Sequence, residues 1–326
     1  MNRSKQLQVT TGSRLHFGLF SVGRVDDQPQ FGGCGMMVKH PQNQITLQAG
    51  CTKPNQEPTL GIEKWIGNVK KAHGDLSEKL SALPSIQINR SAARHSGFGS
   101  GTQLALATGL ALSTWYKLAI CDVDQLSTIM ERGLRSAIGA HGFFRGGFLV
   151  DRGKRNDGEL ASLDLNLSFP ETWPVLILNL KSAHGIHGEA ELAAFRKLPT
   201  STRAHRDRMI DMVKKQIAPS VDAASYDDFG EALFEYGRSS GSAYASIQGG
   251  DFHSPAVEQL VYRVRDFGVP AVGQSSWGPC VFAVTRNDNV ANSLTQFLGE
   301  LYGDSLEICK TSALNKGAEI KWQDLE

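Results

Sequence analysis

The segment Arg94-His95-Ser96-Gly97-Phe98-Gly99-Ser100-Gly101-Thr102-Gln103 restricts the fold of this chain more than any other. Before it, Ser85-Ile86-Gln87-Ile88-Asn89 alternates as a short strand does. After it, Leu104 to Trp115 is almost free of polar residues and reads as a buried helix. Strand, glycine loop and apolar helix form the arrangement in which backbone N–H groups at a helix start face an anion. Gly97, Gly99 and Gly101 let the backbone approach a ligand closely, and Ser100 and Thr102 offer hydroxyls to a helix cap, a phosphate or a metal. A turn that merely starts a helix would explain the glycines alone. Arg94 and His95, with no acidic residue beside them, tilt the loop towards an anion site. No Gly-Lys-Ser/Thr follows, so this is not a Walker A loop. No strand ending in an acidic residue follows about 20 residues on, as a dinucleotide fingerprint requires.

Charge composition then makes any anion site a local one. The 326 residues contain 34 Lys and Arg against 33 Asp and Glu, which gives no global field for nucleic acid or an anionic membrane. That length suggests two domains with ample core. Five scattered cysteines without CxxC spacing fit reduced thiols better than disulfides or a zinc site. With no apolar run of membrane-spanning length and no apolar segment near Met1, a cytoplasmic protein is expected.

Along the chain, Leu7 to Thr11 and Arg14 to Phe20 read as two strands around a turn at Gly12-Ser13, with Leu15, Phe17 and Leu19 on one face and Arg14, His16 and Gly18 on the other. Arg and His together on a strand face suggest an anion-facing strand end, against the alternative of a solvated edge. Phe31 to Val38 reads as a strand approached closely by another backbone or a ligand, and Ile45 to Gln48 as the next strand. Ile62 to Ala72 and Val123 to Leu134 have helical spacing, the second started by Asp122 or Asp124. Gly139 to Asp151 is a second glycine-rich segment, running into a strand, with His141 and Arg145 inside an otherwise apolar run. A hairpin turn would explain its glycines but not those two side chains.

Residues 152–172 read as a polar connection, with a domain boundary near Pro170. Val175 to Leu180 is a strand by its aliphatic content. Helices are expected through Phe195, over Asp227 to Ala245 and over Pro255 to Phe267, followed by strand, helix, strand at Val281 to Val284, Val290 to Leu301 and Leu306 to Cys309. His184 and His187 make a weak metal pair. Gln274-Ser275-Ser276-Trp277-Gly278-Pro279-Cys280 is a third unusual loop, whose small polar residues around one Trp suit the wall of a flat ligand better than a core.

Taken together these loops carry a resemblance. Gly97-Phe98-Gly99-Ser100-Gly101 resembles the phosphate loop of the GHMP kinase superfamily, Gly12-Ser13-Arg14-Leu15-His16 its first motif, and Gly273 to Cys280 the place of its third. More narrowly, Ser13 to Gly18, His95 to Gln103, Arg145-Gly146-Gly147-Phe148, Gly188 with Glu191 and Phe195, and Gln274 to Pro279 look like the beta-ribofuranosylaminobenzene 5'-phosphate synthase branch, over nearly the whole chain.

The resemblance implies an α+β, GHMP-kinase-like fold in two domains: residues 1–170, like ribosomal protein S5 domain 2, and residues 171–326, ferredoxin-like. It implies a transferase that joins phosphoribosyl pyrophosphate (PRPP) through C1 to the carboxylate-bearing carbon of 4-aminobenzoate or 4-hydroxybenzoate. Carbon dioxide and pyrophosphate leave, in tetrahydromethanopterin biosynthesis. Mg²⁺ is expected, with Ser100 or Thr102, and Glu191, as metal contacts, and so is a homodimer without nucleic-acid or membrane partners.

The loop Gly97 to Gln103 is the expected pyrophosphate cradle. Arg14, His16, Arg94 and Arg145 are candidates for the 5'-phosphate, with Ser13 and His95 as further substrate contacts. Trp277 and Phe17, with Gln274, Ser275 and Ser276, would form the aryl slot. His16 or His141 would bond the ring substituent. The alternative is an ATP-dependent kinase of the same fold. Against it, Val150 stands where such kinases often place a catalytic Asp, and Asp151 comes one residue later, on the opposite strand face. Asp227-Asp228 does not replace the missing acidic PRPP motif.

Overall fold

Buried residues at every second position, the apolar Leu7, Val9, Leu15 and Phe17 with the polar Thr11 and Ser13 between them, mark one long strand, β1 (Lys5–Leu19), in the computed structural model. The structure describes residues 5–49, 60–72, 83–93, 97–120, 122–156, 158–183, 185 and 188–324, without the side chains of residues 72 and 188–192. The turn expected at Gly12-Ser13 is instead a β-bulge. A register shift falls between Thr11 and Ser13, and a Cβ on Gly12 would stand 2.1 Å from the Val38 carbonyl oxygen. The two strands read at 31–38 and 45–48 are likewise one, β2 (Gly33–Gln48), antiparallel to β1.

Helix α1 (Ile62–Ala72), strand β3 (Ser85–Arg90) and helix α2 (Ser100–Trp115) follow. Then come α3 (Val123–Met130), α4 (Ile138–Arg145), β4 (Phe148–Asp151) and β5 (Leu163–Leu167). The first sheet has the order β1-β2-β4-β5, with β3 also on β2. Helix α2 is apolar nearly all round because it is covered on all sides, by the first sheet through Leu7, Val9, Ile45 and Leu47 and by α1 and α3 through Trp65 and Leu126. Two readings need correction. The glycine-rich segment read as running into a strand first forms a helix over residues 138–145, whose Gly142 lies against Met37, so the alternative of a hairpin turn falls as well. The connection 152–172 holds β5, whose Leu163, Leu165 and Leu167 alternate with Asp164 and Asn166.

β6 (Val175–Leu180) begins the second sheet. After it come α5 (Gly188–Lys197), α6 (Arg203–Met212), a π-helical turn over Val213–Ile217, and α7 (Ala218–Asp222). Helices α8 (Tyr226–Ser242), α9 (Ala245–Gln248) and α10 (Pro255–Asp266) lead to β7 (Val272–Gln274) and β8 (Val281–Val284). Helix α11 (Asp288–Tyr302), β9 (Leu306–Thr311) and β10 (Glu319–Asp324) end the order. The sheet β7-β8-β6-β9 is antiparallel. The unbroken apolar run of β6 now has its cause: Val175 and Ile177 face the core shared with Phe17, Phe148 and Phe229, while Leu176 and Leu178 face the core under α10 and α11. After β9 the chain crosses back, and β10 pairs with the far edge of β1, so residues 319–324 lie with the first sheet.

Candidate active site

The bulge that shifts register between His16 and Gly18 sits where three segments meet. Arg14 N–H donates to the Phe98 carbonyl at 2.9 Å, and Ser276 N–H donates to the His16 carbonyl at 2.8 Å. The Ser275 hydroxyl accepts from His16 N–H at 3.1 Å and donates to the Gly97 carbonyl at 2.8 Å. The strand, the glycine loop and the loop before β8 are thus stitched into one wall, with Leu15 and Phe17 turned inward to the core and Arg14 and His16 turned to the other side.

That other side is a cavity of about 370 Å³. One part is cationic, with Arg14, Arg132 and Arg135 against a single carboxylate among the described residues, Glu131, which Lys64 already engages by a hydrogen-bonded ion pair. The Lys64 ammonium holds the Glu131 carboxyl below its usual range. Gly97 and Thr102 add the start of α2, whose first turn contains no acidic residue. The facing wall is aromatic. Trp277 stacks on Tyr244 with ring centres 5.0 Å apart, and Phe195 meets Trp277 edge-on at 5.0 Å. The Arg135 guanidinium lies over the Phe195 ring, 4.6 Å from its centre, so the two walls touch. Leu19, His16, Ser136, Ser276 and Gly278 close the space between them.

Of the residues expected here, Arg14, His16, Gly97, Thr102, Ser276 and Trp277 line the cavity. Gly99, in the left-handed conformation at φ 66°, caps α2 and leaves room for the Arg14 guanidinium, whose Nε would be 3.2 Å from a Cβ there. Gly101 lies in the first turn of α2. Other polar candidates brace the wall from behind. The Ser13 hydroxyl donates to the Pro41 carbonyl, and Gln103 accepts from the Thr11 hydroxyl and donates to the Gly139 carbonyl. Gln274 accepts from His253 N–H and donates to the Ser276 carbonyl, and Ser275 makes the ties given above. The Ser100 hydroxyl is buried and donates to the Ala93 carbonyl at 3.3 Å. Arg94, His95 and the His184/His187 pair fall outside the described residues, as does the Glu191 side chain.

Three assignments change. His141 is buried on α4 with Nε2 against the Ala161 carbonyl at 2.8 Å, and it lines no part of the cavity. Arg145, at the exposed end of the same helix, does not reach it either. Of this helix it is Gly139, whose carbonyl accepts from Gln103, that lies against the start of α2. Phe17 is a core residue stacked on Phe282 at 5.2 Å, and not part of the aryl slot.

The sequence reading missed residues 131–136. It continued α3 through Leu134, but the helix stops at Met130 because Glu131 takes a left-handed conformation at φ 51°. The two arginines flanking Gly133-Leu134 were the available signal. Tyr244 and Leu19 carried none.

Behind the cavity, His16 Nε2 lies 2.9 Å from the Ser136 hydroxyl, and that hydroxyl lies 3.1 Å from Asp151 Oδ2. Asp151 is fully buried and accepts further hydrogen bonds from Ala137 N–H and Gly153 N–H. Burial raises its carboxyl to about 6, against the pull of those donors. Burial, followed by the charges of Arg14 and Arg135, holds His16 well below the usual histidine range. Val150, in the kinase slot, packs into the core. Among the described residues no cluster of three or more His, Cys, Asp or Glu could hold a metal ion, and no described helix is long and apolar enough to cross a membrane.

With this geometry established, comparison with known proteins locates the fold. Residues 217–304 match the family described as GHMP kinases C terminal. A beta-ribofuranosylphenol 5'-phosphate synthase of Archaeoglobus fulgidus is 29% identical, over 97% of this chain and 99% of its own. One of the same name from Methanothermobacter thermautotrophicus is 26% identical, over 96% and 98%. Among solved structures, a mevalonate diphosphate decarboxylase from Staphylococcus aureus superposes with a TM-score of 0.63 at 13% identity, covering 98% of each chain. The chain therefore has the GHMP kinase fold, and along nearly its whole length it is similar to enzymes named beta-ribofuranosylphenol 5'-phosphate synthases.

Proposed function

We propose that the cavity binds PRPP beside a para-substituted benzoate and joins them with loss of carbon dioxide and pyrophosphate. The observation that carries this reading is the cavity's division into an arginine-lined part and an aromatic wall that touch through Arg135 and Phe195. The relatives are named for a ribofuranosylphenol, which makes 4-hydroxybenzoate the first acid to test and 4-aminobenzoate the second.

In the reaction, the bond from ribose C1 to the pyrophosphate oxygen breaks and its electron pair leaves with pyrophosphate. The carboxylate-bearing ring carbon supplies the pair for the new C–C bond. The electrons of the C–CO₂ bond return to the ring as carbon dioxide departs, so no proton is gained or lost overall. Arg14, Arg132 and Arg135 offer forked donors to phosphate oxygens, and the α2 start adds its dipole. Trp277, backed by Tyr244 and Phe195, orients the ring, and such positioning contributes roughly 7–11 kcal/mol. His16 is placed to bond the ring hydroxyl or amino group, which increases electron release to the attacking carbon. Mg²⁺ belongs to the same proposal, but Ser100 and Glu131 are engaged by protein groups. The described donors thus suit a Mg²⁺ brought by the pyrophosphate oxygens more than a resident ion. A cytoplasmic homodimer completes the proposal.

The kinase reading is less well supported, because Asp151 lines no part of the cavity and is held by Ala137, Gly153 and Ser136. Incubation with PRPP, Mg²⁺ and carboxyl-labelled acid should release labelled carbon dioxide. ADP formed from ATP and a small alcohol, with no labelled gas, would overturn the synthase reading. Trp277→Ala should lower kcat/KM for the acid by about 2–4 kcal/mol while PRPP affinity changes little.

A further inference from the structure

The Ser136 hydroxyl has one hydrogen and two neighbours that could take it, His16 Nε2 at 2.9 Å and Asp151 Oδ2 at 3.1 Å. An ionised carboxylate only accepts. If Ser136 gave its hydrogen to His16, two oxygens, the Ser136 Oγ and Asp151 Oδ2, would face each other without one. The hydrogen therefore goes to Asp151, whose orientation is fixed independently by Ala137 N–H at 2.9 Å and Gly153 N–H at 2.9 Å. Ser136 Oγ is left as an acceptor, and it takes hydrogens from Ile138 N–H at 3.3 Å and from His16 Nε2. The imidazole hydrogen is thereby assigned to Nε2. Nδ1 keeps its lone pair, is buried, and has no hydrogen-bond partner among the described residues. A buried polar atom without a partner, on a ring that lines the cavity, is an acceptor in want of a donor.

We infer that Asp151 and Ser136 are positioning residues that lock His16 as the neutral imidazole with its hydrogen on Nε2, reserving Nδ1 to accept the hydrogen of the acid's ring hydroxyl. The choice of donor rests on the synthase reading, whereas the tautomer lock does not. The neutral state has physical support: burial and the flanking Arg14 and Arg135 all oppose a second proton on His16. Arg14 and Arg135 carry only donors and cannot accept a hydrogen, which leaves Nδ1 as the neutral acceptor on this part of the lining. Asp151 thus serves a different end from a kinase base. It touches no ligand and acts through Ser136.

The test is nitrogen NMR of the full chain with labelled histidine, on the wild type, Ser136→Ala and Asp151→Asn. The wild type should show hydrogen on His16 Nε2. Ser136→Ala should give a mixture of tautomers. Asp151→Asn must set its amide nitrogen against either the Ala137 or the Gly153 N–H, which loosens the acceptor that fixes the Ser136 hydrogen and should also give a mixture of tautomers. The same tautomer in all three proteins, or hydrogen on Nδ1 in the wild type, overturns the lock whatever the activity. Addition of 4-hydroxybenzoate with PRPP should shift the Nδ1 signal, and 4-methoxybenzoate, which has no hydrogen to donate, should not. Equal shifts with both acids overturn the choice of donor. In steady-state kinetics Ser136→Ala should lower kcat for carbon dioxide release about tenfold with an unchanged KM for PRPP. An unchanged kcat in a variant that has lost the tautomer would remove the lock from the reaction. Absence of labelled carbon dioxide from the wild type is a separate result, since it sinks the synthase reading and leaves the lock standing.

Discussion

Two glycine-rich segments, 97–101 and 139–147, look alike in sequence, each with a His and an Arg close by, yet they use their glycines for opposite ends. At Gly99 the space next to the backbone holds the guanidinium of Arg14, a group that also lines the cavity. At Gly142 that space is filled by the Met37 side chain, with its sulfur 2.6 Å from where a Cβ would be, and at Gly147 by the Leu167 carbonyl, 2.4 Å away. The first segment clears room at a site. The second clears room for the protein itself, and its His141 and Arg145 go elsewhere. Composition records only that room was needed.

The strand that follows the second segment reaches the site through Asp151, and that link has a measurable cost. The Asp151 carboxyl is raised from 3.8 to about 6 by burial. In the unfolded chain it returns to the lower value, so between the two the folded state binds more proton and stability falls as pH rises. The contribution is full below about pH 4 and lost above about pH 6, a difference of about 3 kcal/mol. Thermal melts from pH 4 to 7 should show the wild type losing stability relative to Asp151→Asn across that window. Parallel curves would mean that the carboxylate is better solvated than its burial implies, and the chain to His16 would lose its anchor.

Gly99→Val addresses the first segment directly. A β-branched residue at φ 66° is strained, and its side chain would push against Arg14. PRPP affinity by titration calorimetry should fall about 100-fold, roughly 2.7 kcal/mol. Unchanged affinity with an intact fold would remove the glycine loop from the phosphate site. Gly142→Val is its counterpart. Overpacking against Met37 should cost about 2 kcal/mol of stability, read by urea unfolding, with PRPP affinity of the folded protein unchanged. A loss of affinity there would break the distinction between the two segments.

Local patterns in the sequence carried much of the fold. The apolar run of α2 and the aliphatic run of β6 are each explained by burial on more than one side, and both were readable as such. The glycine loop and Trp277 were visible because their composition is odd for a core. What could not be read was assembly at long range: Arg14, Arg132, Phe195, Tyr244 and Trp277 share one cavity although no local pattern relates them. Phe17 was misplaced for the same reason, since strand alternation gives the face but not what that face meets. The end of α3 depends on one left-handed residue, Glu131, of a type that ordinarily continues a helix. Without that stop, Arg132 and Arg135 read as a solvated helix face.

Arginines provide the finest division between the two segments. Arg135 lines the cavity and lies over Phe195, whereas Arg145 sits exposed at the C-terminal end of α4, where a cation interacts favourably with the helix dipole. Replacement by Gln keeps length and polarity and removes the charge and the fork. Arg135→Gln should weaken PRPP about tenfold, roughly 1.4 kcal/mol, and should flatten the salt dependence of what binding remains only a little, because Arg14 and Arg132 stay in place. Arg145→Gln should alter PRPP affinity by less than about twofold and cost at most about 0.5 kcal/mol of stability, the scale of one surface charge at a helix end. The pair is best read by calorimetry of both variants at one ionic strength. If Arg145→Gln is the more damaging to PRPP binding, the end of α4 comes nearer to the ligand than the described cavity allows, and the helix belongs with the glycine loop as part of the site.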